Sequence, residues 1–260
     1  MIGLSLDTLF ETVPEIEITT NLRHSLGSIK KALRYRDFSL YRPYCLINDS
    51  KQVKAIKRKY HFDYYTQDIW YDICHYLKPN EKVISPFSNS EISSLTFLNQ
   101  IDKAIWQYNQ SVQEELNKRL ESFQEKSFVG VHIRRGDKIT EAKHSSLETY
   151  MNFVIKYSEQ KRIFVATDDY TTYKDLCTLY PDYEFITFSR PSNSGYQQGT
   201  FNRLDGLTKY NNTLDLFADI EMLAKAETFI GTFTSNVGQF MIIHRNGNRC
   251  YMVDYDFNSF

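Results

Sequence analysis

From Ser127 onward the chain alternates between short apolar runs and amphipathic stretches, and few folds satisfy that alternation. Phe128–Ile133, Ile163–Thr167, Tyr183–Phe188, Thr228–Thr232 and Cys250–Asp254 read as strands. Leu147–Glu159, Thr172–Tyr180, Leu214–Ala226 and Asn236–His244 carry helical periodicity between them. Strands that stay apolar throughout are those covered on both faces, so the pattern predicts an α/β domain with a parallel sheet between helices. A polar loop, residues 189–208 with Gly195, Gly199 and Gly206, interrupts the series.

Residues 1–126 have a different texture, and the expected division is 1–126 and 127–260. His24–Tyr35, Ser50–Tyr60 and Asp68–Leu77 read as helices, Tyr44–Ile47 as a buried strand, and Glu91–Phe123 as one long helical stretch with a break near Asn99. The long helix offers a face for a second copy, so a homodimer is among the expected partnerships.

Across 260 residues the net charge is −1, which excludes a general basic field for nucleic acid; any anion site must be a local cluster. Cys45, Cys74, Cys177 and Cys250 lie far apart without metal-ligand spacing, and the expectation is four buried thiols in a reducing compartment, with two disulfides as the alternative. No apolar run approaches a membrane span. A cytoplasmic location is expected; a lumenal domain freed of its anchor is the alternative, with three glycosylation sequons at Asn48, Asn109 and Asn211.

The chemistry gathers in the loops that follow the strands. After the first come His132, Arg134, Arg135, Asp137 and Lys138. Two adjacent guanidiniums at the carboxyl end of a strand suit a diphosphate, since each is a planar fork of donors; a salt-bridged turn is the competing reading. Asp168 and Asp169 follow the second strand. They suggest a metal pair or, because adjacent side chains diverge in extended backbone, partners for the arginines. Thr232-Phe233-Thr234-Ser235-Asn236 opens a helix, with Ser235 at the N-cap and free N–H groups beyond it. Asp219 borders the apolar face of its helix and reads as a solvated edge residue or as a contact to a ligand's amide. Glu141, beyond the cluster, reads as a solvated loop carboxylate or as a general base for an acceptor hydroxyl.

These blocks resemble the α1,6-fucosyltransferases, the family of core N-glycan and Nod-factor enzymes. The matching stretches are Gly130–Lys138, Thr140–Ala142, Glu148–Met151, Val165–Asp169, Tyr180–Phe185, Ala218–Ile220 and Thr232–Val237, in the family's order. The first is shared with α1,2- and protein O-fucosyltransferases, whereas Ala166–Asp169 and Thr232–Asn236 favour the α1,6 branch.

The resemblance implies a GT-B-like architecture whose C-terminal half is a Rossmann-like donor domain, here with a shortened, mostly helical N-terminal part. It implies GDP-fucose as donor, a glycan as acceptor, inversion, and neither metal nor resident cofactor. His132 and Asp219 would contact guanine, and Arg134 and Ser235 the β-phosphate, with Arg135 and Asn236 beside them. Glu141 would be the base and Lys138 its assistant near the leaving group, with Asp137, Tyr150, Asp168 and Asp169 in support. α1,2- or protein O-fucosyl transfer, or a GDP-sugar-binding remnant without activity, are the alternatives.

Overall fold

A computed structural model describes residues 9–10, 82–85, 89–121, 123, 127–136 and 144–255. The expected elements before residue 82, and Asp137, Lys138 and Glu141, lie outside the described residues. The chain divides into two compact units, residues 13–95 and residues 1–12 with 96–260.

In the smaller unit, β1 (Lys82–Ile84) and β2 (Glu91–Ser93) form an antiparallel pair with Val83 opposite Ile92. The long helix expected from Glu91 is therefore replaced at its start by a strand. Its continuation is two helices, α1 (Ser94–Ile105) and α2 (Gln110–Leu120). The break falls at residues 106–109 rather than at Asn99. Asn109 causes it by capping α2, its side chain accepting the Val112 N–H.

The larger unit holds a five-stranded parallel sheet in the order β5-β4-β3-β6-β7. The strands are β3 (Val129–Ile133), β4 (Arg162–Thr167), β5 (Glu184–Ile186), β6 (Thr228–Gly231) and β7 (Cys250–Met252). All five expected strands are present, the third and fifth shorter than their apolar runs. The helices between them are α3 (Leu147–Tyr157), α4 (Tyr170–Leu179), α5 (Gln198–Arg203), α6 (Gly206–Lys225) and α7 (Asn236–His244). The helix expected at Leu214 begins earlier, at Gly206, because Asp205 caps it by accepting the Thr208 N–H. Ser146 caps α3 in the same way, and such caps contribute about 1 kcal/mol each.

Strand order is what places a site. The chain winds outward from β3 to β4 and β5, then returns to the other side of β3 for β6 and β7. The direction of winding reverses between β3 and β6. At such a reversal the connecting segments leave in opposite directions and open a crevice beyond the carboxyl ends of the strands. Every residue of β3 is buried, and Val129, Val131 and Ile133 join Tyr150, Met151, Val154, Ile163, Val165 and Ile230 in one core. β3 is thus a rigid base for whatever follows it.

α7, which starts the far side of the crevice, is anchored at its other end. Asn99 of α1 donates to the carbonyls of Ile243 and His244 at 2.8 and 2.9 Å, and Asp102 meets Nδ1 of His244 at 2.6 Å. α2 packs on α6 and buries Val112 and Leu116.

Candidate functional site

Two loops flank the crevice, and the one after β3 is organised by a single carboxylate. Asp168 stands just past β4, the strand beside β3. Its Oδ1 accepts the N–H of Arg135 at 2.8 Å; its Oδ2 accepts those of Gly136 at 3.0 Å and Tyr196 at 2.9 Å. The same Oδ2 lies 3.4 Å from Nε of Arg134, and the guanidinium of Arg134 lies 4.5 Å from the Tyr196 ring centre. Arg134 is therefore fixed by an ion pair and by an aromatic face, both of which aim it. The fit leaves no room at Gly136: a Cβ there would collide with the backbone of Tyr196 and with Oδ2 of Asp168. Gly195, with φ of 92°, supplies the turn that brings Tyr196 in.

The other expected members of this cluster separate. Arg135 directs Nη1 to the carbonyl of Ser145 at 2.9 Å, so the two guanidiniums do not act as a matched pair: one is held by Asp168 and Tyr196, the other braces the approach to α3. Asp168 and Asp169 diverge as adjacent residues must. Asp169 caps α4, accepting the Thr171 N–H at 3.0 Å, while Asp168 organises the arginine. Among the described residues no group of His, Cys, Asp or Glu is arranged to hold a metal ion.

The loop after β6 is built from backbone. Asp254, just past β7, accepts the N–H of Phe233 at 2.6 Å, the N–H of Thr234 at 3.1 Å and the Thr234 hydroxyl at 2.7 Å. Tyr150, buried on α3, hydrogen-bonds Thr232, and burial holds its phenol up at about 12. Ser235 occupies the N-cap of α7, buried and in extended backbone, but its side chain makes no capping bond. The capping role expected of its hydroxyl is not taken up, in contrast to Asn109, Ser146, Asp169 and Asp205. Asn236 is exposed beside it.

Among the buried polar atoms without a hydrogen-bond partner in the described residues are two at positions expected to meet guanine. Nδ1 of His132, on β3, has none, and burial lowers the imidazole to about 4 despite the nearby carboxylate of Asp168. Oδ1 of Asp219, on α6, has none either; burial, and then the charge of Asp215, push its carboxyl well above the usual range. The solvated-edge reading of Asp219 is thereby overturned: the preceding turn carries Leu216 outward, while this oxygen is sealed in. α6 packs on β3, the strand that carries His132. Buried polar groups are ordinarily satisfied, and unsatisfied ones mark strain or a place for a ligand.

Two contributors went unseen in the sequence. Tyr196 sits in the loop 189–208, which shows no motif, and Asp254 reads only as the end of the last strand. The one available signal was that β4 and β7 are each followed within two residues by an Asp. It acquires meaning only once each is known to be the neighbour of a loop-bearing strand.

A family model described as the α-(1,6)-fucosyltransferase N- and catalytic domains matches residues 87–242. The chain is 30% identical over 125 residues to an α-(1,6)-fucosyltransferase of Drosophila melanogaster, covering 44% of this chain and 19% of that protein. It is 28% identical over 146 residues to an α-(1,6)-fucosyltransferase of Caenorhabditis elegans, covering 51% and 25%. The matches thus span a quarter or less of these relatives. A crystal structure of the NodZ α-1,6-fucosyltransferase soaked with GDP-fucose aligns at 18% identity and a TM-score of 0.41, over 58% of this chain and 47% of that one. With the family model matching more than half of its length, the chain belongs to the α-(1,6)-fucosyltransferase N- and catalytic-domain family.

Proposed function

We propose that the chain transfers fucose from GDP-fucose to a glycan hydroxyl, with inversion and without a metal. The observation that carries this reading is Arg134 at the switch point, aimed by Asp168 and Tyr196, just past the strand beside the one that leads into α7, whose N-cap side chain makes no capping bond. Departure of GDP builds negative charge on the β-phosphate. Donors already fixed where that charge develops stabilise the transition state more than the ground state. Arg134 and the groups at Ser235 and Asn236 are these donors, with Arg135 behind them. His132, neutral at physiological pH, and Asp219 supply unpartnered polar atoms for guanine.

In the same reading Glu141 takes the acceptor's proton and Lys138 assists near the leaving group, with Asp137, Tyr150, Asp168 and Asp169 in support. Residues 127–260 form the donor side of a GT-B-like enzyme, and residues 1–126 the acceptor side. A cytoplasmic compartment fits the free thiols of Cys177 and Cys250. Among the described residues no helix is long and apolar enough to cross a membrane.

Calorimetric titration with GDP tests the reading. The expectation is saturable binding by the folded chain; no heat at millimolar GDP ends it.

A further inference from the structure

The loop after β6 is restrained from several sides, and its main restraint belongs to no recognised motif. Asp254 comes from the edge strand paired with β6 and uses both carboxylate oxygens on two consecutive amides and one hydroxyl of that loop. Tyr150 reaches Thr232 from α3. The ring of Phe233 stacks on Tyr255, centres 4.4 Å apart and planes 15° from parallel. The carbonyl of Thr232 lies so close to Gly238 that any Cβ would collide with it. Ser235 follows Thr234 directly, and its side chain makes no capping bond to α7.

We infer that Asp254 is a positioning residue for the donor diphosphate, acting through the amides of Phe233 and Thr234 to hold Ser235 and the amino terminus of α7 at the switch point. The inference rests on the donor-site reading above. A loop that samples several conformations binds in proportion to the fraction that is competent, so fixing it beforehand strengthens the grip on the phosphate without touching it. Only a carboxylate suits this place. Three donors converge on two oxygens, and a carboxamide would turn an NH2 group toward at least one of them.

The test is calorimetric titration of the whole chain with GDP and with GMP, for the wild type, Asp254→Asn and Thr234→Val. GDP carries the β-phosphate that the loop is inferred to hold, and GMP does not. Asp254→Asn is expected to weaken GDP about tenfold while GMP changes by less than about threefold. Thr234→Val, which removes one donor of the three, is expected to show the same asymmetry at about threefold. Equal losses for both nucleotides, or undiminished GDP binding, overturn the inference, because a merely structural role would not distinguish a second phosphate. If Asp254→Asn loses its circular-dichroism signal, Thr234→Val decides alone. A wild-type chain that binds neither nucleotide removes the donor-site reading itself, and the inference with it.

Discussion

The loops after β3 and β6 leave neighbouring strands where the winding reverses, and each is held by an aspartate from the adjacent strand's exit, yet the two are held differently. Asp168 is 15% exposed and joins three segments: the Arg135–Gly136 backbone, the Tyr196 amide and the side chain of Arg134. Asp254 is exposed and ties a single loop. The difference follows from what each loop presents. The β3 loop carries a full charge on a long side chain, which must be aimed and partly desolvated, so its carboxylate lies inside and meets the guanidinium. The β6 loop presents backbone and a short hydroxyl, which need only a fixed conformation.

The contrast fails most visibly at the arginine. Arg134→Ala is expected to lower kcat about 10²- to 10³-fold, the usual cost of removing a donor from developing charge, with circular dichroism unchanged. Near-normal turnover in a GDP-fucose assay would remove the arginine from the leaving-group side. Next in size is stability. Asp168→Ala strands three part-buried amides and a guanidinium, and is expected to cost about 3 kcal/mol in urea unfolding. A loss no larger than that of Asp254→Ala would make the two loops equivalent after all.

The smallest effect concerns pH and involves the orphaned atoms rather than the loops. Asp219 is protonated more readily in the fold than in the unfolded chain, because of burial and of Asp215. Guanine N–H donors favour its carboxylate, so GDP binding should release a proton and tighten with rising pH, by less than about tenfold per pH unit. Titrations in two buffers of different ionisation heat measure this; no proton release would detach Asp219 from guanine. For stability the signs oppose. A raised carboxyl loses stability as pH climbs above the ordinary carboxylate range, because the native state binds the extra proton. His132, lowered from 6.5 to about 4, costs stability as pH falls through that interval, where the unfolded chain alone is protonated.

Much of the scaffold was legible because it rests on local causes. Strands apolar on both faces, and Asn, Ser or Asp ahead of helical periodicity, leave marks within a few residues. The misreading at Glu91–Phe123 is a failure of that local kind: helical apolar spacing masked the capping Asn109, and a three-residue strand is too short to show a period. The arginine pair failed for another reason. Arg134 and Arg135 are adjacent, but one meets Asp168 and the other the carbonyl of Ser145, and nothing local distinguishes them.

By itself the sequence determined the sheet's strands, the polar residues at their exits and the family, since burial periodicity and motif order are written along the chain. Tertiary structure alone decided that β3 and β6 lie side by side with the winding reversed between them. From that order follow the aspartate that serves each loop, the approach of Tyr196 to Arg134 and the sealing of Asp219. Each depends on pairing between distant segments, and the stability of such a pairing is a property of the whole packed sheet rather than of any stretch within it.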